Sequence, residues 1–151
     1  MPGAEPDFDE FNHDIAWELG CALVAHCRAH TYAVNISIHI GQQRVFHAAL
    51  PGSSADNDDW VMRKTRVVQR FDRASQEVGR TYTVGDTGAF HPAFALPASD
   101  YAPTGGAVPI RIHGTTIGVL AISGLSSDQD HDLASAALRS EIGSQDKHGL
   151  T

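Results

Sequence analysis

The sequence predicts an α+β domain: one antiparallel sheet, built from two hairpins and covered by helices. Apolar and polar residues alternate through 34–40 and again through 108–113, the period of a strand with one face buried. Each alternating run meets a glycine-bearing turn and then a second strand-like run. Helical stripes precede, separate and follow these hairpins, and no crossover pattern demands a parallel sheet.

Taken in order, residues 1–7 read as a flexible leader, 8–143 as a single domain and 144–151 as a fraying tail. From Phe8 to Ala29, the spacing Phe11, Ile15, Leu19, Leu23, Cys27 is a helical stripe. Val34, Ile36, Ile38 and Ile40 then alternate with Asn35, Ser37 and His39, and Gly41-Gln42-Gln43 turns into a strand over 44–50. Pro51-Gly52 ends that strand. One long helix is expected over 57–78, with Asp56 or Asn57 as its cap, Asp58 and Asp59 at the dipole-favoured end, and Gly79 as its stop. Residues 80–104, with Pro92, Pro97 and Pro103, read as a loop-rich excursion with one helical turn near 98–101. Gly105-Gly106 opens a strand with Val108, Ile110 and Ile112 on one face and Pro109, Arg111 and His113 on the other. Gly114-Thr115-Thr116 turns into the run 117–123, which is apolar on both faces and therefore central. A last helix starts at Ser127 or Asp128 and buries Leu133, Ala136, Ala137 and Leu138.

Composition narrows the function classes. A net charge of −7 over 151 residues argues against a general nucleic-acid binder. Five of the eleven basic residues nevertheless fall between Arg63 and Arg73, a local concentration that suits a small anion better than a polymer. No secretory signal pattern and no apolar run of membrane-spanning length is visible. Cys21 and Cys27, six apart on one helix, point in different directions and read as reduced thiols of a cytoplasmic protein. Phosphate-loop, dinucleotide, zinc-protease, nucleophile-elbow and C-x-x-C patterns are all missing, so the sequence names no reaction.

The candidate residues cluster on the long helix. Arg63, Arg66, Arg70 and Arg73 lie within about a quarter turn of one another. They form either a clamp for carboxylate or phosphate, or a solvated or subunit-facing ridge laced by Asp59–Arg63 and Arg73–Glu77 pairs. Lys64 falls in the middle of the apolar face: it snorkels, finds a buried partner, or serves chemistry with a lowered pKa. His39, Arg111 and His113, with His47 beside them, line one pocket if the two hairpins are neighbours, or are ordinary half-exposed sheet residues. Gly105-Gly106 offers backbone N–H groups to an anion or simply permits a tight entry to the strand. The run Asp128-x-Asp130-His131-Asp132 has no zinc-type spacing, and an acidic first turn with a Ser127–Asp130 capping box explains it. No metal site is assigned.

Two blocks carry a family resemblance. The first is Pro51, Gly52, Asn57, Trp60, Arg63, Lys64 and Phe71. The second is Asp100-Tyr101, Gly105-Gly106, Pro109, Gly118, Ser123-Gly124-Leu125 and Asp130-His131. Together they resemble a functionally uncharacterised branch of the haem-degrading-domain (GlcG/HbpS-like) family, over nearly the whole chain. Thr104 and Val108 stand where the branch pattern carries a histidine and an aromatic residue. The resemblance implies a profilin-like fold with a five-stranded antiparallel sheet, a homo-oligomer, and haem as a candidate cofactor. Three functions stay open: a binder of a small carboxylate-bearing ligand, a non-enzymatic oligomeric scaffold whose basic helix makes subunit contacts, or an enzyme using Lys64 as a base or nucleophile.

Overall fold

The computed structural model describes residues 7–85 and 88–149. In chain order the elements are α1 (His13–Ala29), β1 (Asn35–Ile40), β2 (Gln43–Ala49), α2 (Ala55–Phe71), α3 (Ser75–Tyr82), β3 (Thr83–Val84), β4 (Ala89–Phe90), a 3₁₀ turn (Pro92–Phe94), β5 (Ala107–Ile112), β6 (Thr115–Ser123) and α4 (Ser127–Gly149). The main sheet is antiparallel with order β2-β1-β6-β5, and β3-β4 forms a separate two-residue ribbon. The expected α+β architecture of two hairpins under helices is therefore present.

Side-chain alternation on the central strands builds the layers. Ile36, Ile38, Ile110, Leu120 and Ile122 join Ile15, Leu19, Leu23 and Leu138 of α1 and α4 in the larger core. On the other face Ala107, Val119 and Ala121 meet Val61 and Val68 of α2 in a smaller one. Strand β1 is covered on both sides, so Asn35, Ser37 and His39 are 1%, 0% and 3% exposed where a half-buried strand was expected. Both faces of β6 are buried through Ser123, as its apolar run requires.

Several elements depart from the sequence reading for identifiable reasons. The helix expected over 57–78 is two helices. Asp72 takes a left-handed conformation (φ 57°) and ends α2, its N–H bonding Val68 O, before α3 restarts at Ser75. Gly79 does not stop a helix. It lies inside α3, where a Cβ would stand 2.1 Å from Pro103 O, so the glycine serves close approach. Ser54 rather than Asp56 or Asn57 caps α2, and Asn57 Oδ1 accepts from Ser54 N at 2.9 Å. The α1 helix begins only at His13, capped by Asn12 Oδ1 on Ile15 N at 2.9 Å. Phe8 and Phe11 precede it as buried aromatics packed edge to face.

Among the described residues the main sheet has four strands, not the five that the resemblance implies. Beyond edge strand β5, Phe8 makes one parallel bridge to Ile112, and Pro109 lacks the N–H that a fuller ladder needs. The α4 helix is capped one residue earlier than expected. Ser126 Oγ accepts from Gln129 N and Gln129 Oε1 accepts from Ser126 N, both at 3.2 Å. Its buried stripe includes Asp130, Ala134, Leu138 and Glu141, whereas Ala136 is exposed. The helix runs on to Gly149, with Gln145 Nε2 donating to Glu18 Oε2 at 2.9 Å and to Glu141 Oε1 at 3.0 Å. Most of the expected leader lies outside the described residues; Asp7 is described and accepts from Gly114 N.

Candidate functional site

Helix α2 separates two polar clefts. At about 100° per residue, Asn57, Trp60 and Lys64 share one side, and Met62, Arg66, Gln69 and Arg70 share the opposite one. The first cleft lies where β6 leaves the sheet for α4. The second lies beside the β1–β2 turn, where Gln69 Nε2 donates to Gly41 O at 3.3 Å.

Lys64 is 3% exposed and does not snorkel. Its Nζ donates to Ile122 O at 3.1 Å and to Asp130 Oδ2 at 3.2 Å, a buried ion pair between α2 and the first turn of α4. Because Ser126 and Gln129 cap that helix, Asp130 is free to point inward. There Oδ1 accepts from Leu125 N at 3.0 Å and Oδ2 from Gly124 N at 3.4 Å. Burial lowers the Lys64 pKa, against the upward pull of Asp130, with Arg63 adding to the lowering. Burial likewise raises the Asp130 pKa, against Lys64 and the two backbone donors. The pair floors a cleft of about 260 Å³ walled by Trp60, Leu125 and Gly124, with Asn57, Thr104, Ser123 and Ser127 supplying polar groups.

The second cleft, of about 470 Å³, is lined by His39, Gln42, Met62, Arg66, Gln69, Arg70 and Tyr101. Arg66 Nη1 donates to Asp100 O at 3.2 Å but has no carboxylate partner among the described residues, and Arg70 is exposed with no partner among them. Burial lowers the His39 pKa, with the Arg44 charge adding to it, so the imidazole is held neutral. Its Nδ1 lies 3.5 Å from Ser37 Oγ, leaving Nε2 as the atom for a ligand.

The other predicted residues lie elsewhere. Arg63 pairs with Asp59 at 2.9 Å, and its guanidinium stacks 4.0 Å over the Trp60 ring. It also donates to Ala98 O at 3.5 Å, while Ala102 N donates to Arg63 O at 3.2 Å, clamping the end of the 80–104 excursion onto α2. Arg73 pairs with Glu77 at 3.8 Å. Both local pairs expected from i,i+4 spacing are therefore present. Arg111 donates through Nη2 to Asp72 O at the end of α2, where a cation meets the helix dipole favourably. His113 sits exposed in the β5–β6 turn, 3.2 Å from Asp9 Oδ1. His47 reaches Asn35 Oδ1 at 3.1 Å and Asp58 at 3.4 Å. Sequence reasoning missed Tyr101, Met62 and Gln69 in the basic cleft and Asp130 as the partner of Lys64. An unpaired lysine on an apolar face was the signal that a buried carboxylate had to exist.

The family described as haem degrading protein HbpS-like matches residues 11–139, most of the chain. This chain belongs to the HbpS-like family. A UPF0303 protein of Streptomyces coelicolor is 42% identical over 90% of this chain and 86% of its own length. One from Edwardsiella ictaluri is 38% identical over 90% of this chain and 87% of its own. Among solved structures, the Ybr137w protein superposes with a TM-score of 0.81 at 26% identity, covering 91% of this chain and 82% of that one. A PduOC–haem complex gives 0.73 at 21% identity, covering 85% and 93%, which is a likeness of fold.

In this HbpS-like chain the two signature blocks meet in space. Asn57 Nδ2 donates to Ser123 Oγ at 3.4 Å, and Lys64 joins Asp130. A Cβ on Gly106 (φ +139°) would stand 2.7 Å from Lys64 Nζ, and one on Gly105 would stand 2.2 Å from Ser127 O. Both glycines thus admit the lysine and the α4 terminus. Gly118 and Gly124 pack as closely, on His39 O at 2.2 Å and Ala33 O at 2.3 Å, and Gly52 lies 2.8 Å from Ala33 Cβ by the same measure. Pro51 makes the turn before α2. Among the described residues His131 Nδ1 is buried without a hydrogen-bond partner, while its Nε2 lies 3.5 Å from Ser135 Oγ. Among the described residues no helix is long and apolar enough to cross a membrane, and no group of three or more His, Cys, Asp or Glu side chains is placed to hold a metal ion.

Proposed function

We propose that this HbpS-like chain binds a small carboxylate-bearing ligand, haem first among the candidates, in the cleft of His39, Arg66 and Arg70, and that it works as a cytoplasmic homo-oligomer. One observation carries the reading: a neutral, buried histidine shares a cleft of about 470 Å³ with two arginines that have no carboxylate partner among the described residues. Guanidinium groups bind carboxylates bidentately, and a neutral imidazole is the form that ligates iron. The donor set fits haem on chemical grounds. Arg66 and Arg70 suit its two acidic side chains, and His39 Nε2, or Met62, suits its iron. Bound haem would supply a redox-active iron. The protein's own part is to hold the carboxylates and to wall the ring with Met62 and Tyr101. The family's description as haem degrading, and a fold neighbour solved with haem, support this choice of first ligand.

A scaffold role is the second reading. It is favoured by the half-exposed aromatic cluster of Phe71, Tyr82, Phe90 and Phe94, whose rings pack face to face or edge to face at 5.1–6.1 Å on one flank of α2.

Haemin titration followed in the Soret band separates the two. Saturable binding with a shifted band, altered in His39→Ala and unaltered in His113→Asn, is the expected result. No shift in the unsubstituted chain would leave the scaffold reading alone.

A further inference from the structure

The Lys64 cleft is a second site, distinct from the basic one. The geometry points to Lys64 as an amine that captures a small hydroxylated aldehyde or ketone as a Schiff base, with Asp130 as its proton partner.

The composition of the chain is the first support. It carries nine arginines and only two lysines, Lys64 and Lys147. Where this protein needs a fixed cation it uses arginine; the buried cation is the titratable one. The second support is the cavity. Stability alone does not call for a buried ion pair, because apolar residues of like volume often serve as well or better. Although the two side chains are only 4% and 2% exposed, both border a cleft that opens to the surface. At about 260 Å³ the cleft lies below the range of roughly 300–1,000 Å³ usual for drug-sized ligands, so its occupant has few heavy atoms. Asn57, Thr104, Ser123 and Ser127 offer polar groups for a hydroxylated molecule, and Trp60 supplies a flat wall.

The third support is the proton partner. Asp130 Oδ2 lies 3.2 Å from Nζ, within reach of direct transfer, and backbone N–H groups fix the carboxyl in place. Nζ gives one proton to Asp130, a transfer that the directions of both pKa shifts favour. Rotation about Cε–Nζ then turns the lone pair into the cleft. The lone pair attacks the carbonyl carbon, a C–N bond forms, and the C=O π electrons move to oxygen, which takes the proton from Asp130. The carbinolamine oxygen then takes a proton from nitrogen by way of Asp130 and leaves as water, as nitrogen closes the C=N bond. Amine, carboxylic acid and carbonyl thus become a protonated imine, a carboxylate and one water. The product iminium stays paired with Asp130, so the buried charge balance survives the reaction.

The two lysines make the test internal to one chain. Full-length protein is treated at pH 7 with glycolaldehyde and cyanoborohydride, and the hydroxyethyl groups are mapped by peptide mass spectrometry. Labelling of Lys64 exceeding that of Lys147 by about tenfold or more is expected. Labelling of Lys147 at an equal or greater rate would overturn the proposal, and that comparison needs no variant. In Asp130→Asn, with its circular dichroism unchanged, Lys64 labelling is expected to fall about tenfold while Lys147 labelling holds. Unchanged labelling of Lys64 in that variant would remove Asp130 from the step.

Discussion

At the residue scale the structure turns on one buried pair. Lys64 and Asp130 come from elements on opposite sides of the sheet, and each is unacceptable there without the other. Lys64→Met is expected to cost about 3 kcal/mol, where the limits for losing a neutral and a charged buried partner meet. Lys64→Met/Asp130→Asn is expected to cost less than the sum of the single changes, because each single change leaves one buried charge unpaired and the double change leaves none. Urea unfolding of the four proteins measures the coupling, and additive effects would show that the two side chains do not act as a unit. His39 makes a pH prediction. Its folded pKa lies below the ordinary 6.5, so the unfolded chain takes the proton first. The stability it contributes is complete above pH 6.5 and declines as pH falls below that value, until the folded pKa is passed. For one group the slope is at most about 1.4 kcal/mol per pH unit. Unfolding curves between pH 7 and 5 should be flatter in His39→Gln; an identical slope would contradict a neutral buried imidazole.

At the scale of elements, Gly79 sets two effects against each other. Helix propensity alone predicts that Gly79→Ala stabilises α3 by about 1 kcal/mol. The new Cβ, however, would stand 2.1 Å from Pro103 O, and backbone cannot yield as a side chain does. The clash outweighs the propensity, and a lowered melting temperature is expected; a raised one would mean that the 98–104 segment moves freely off α3. Gly79 also shows why a sequence reads well in parts. Alternating isoleucines in β1 and the two-faced apolar run of β6 state their roles locally, so both hairpins and the sheet centre were legible. A glycine needed for close approach has the same signature as one needed for a helix stop, and only the partner backbone tells them apart. The break at Asp72 was hidden for a related reason: Val67, Val68, Ala74 and Val78 keep helical spacing across it, while the carbonyl it frees is met by Arg111, thirty-nine residues away. The fifth strand came from likeness rather than from residues here, and Phe8 reaches the sheet edge at a single bridge.

At the scale of the molecule, α2 divides its chemistry between two clefts. Half of the arginine ridge was legible from spacing: Arg63 and Arg73 do pair with Asp59 and Glu77. Which arginines remain for a ligand was not legible, because that depends on the carbonyls of the folded-back excursion, Ala98 and Asp100, which occupy Arg63 and part of Arg66. Arg111 and His113 share a strand face with the site only in projection; one closes a helix end and the other a turn. If the ridge serves the ligand rather than an interface, Arg66→Glu leaves particle mass by light scattering unchanged while weakening haemin binding. A change in mass with unaltered affinity would assign the ridge to subunit contacts. The most direct measurement is the haemin affinity of Arg66→Gln/Arg70→Gln beside that of the unsubstituted chain. Loss of two charge-assisted contacts, each worth about 1.5–3 kcal/mol, predicts a weakening of at least a hundredfold. Equal affinities would contradict the assignment of this cleft as the binding site.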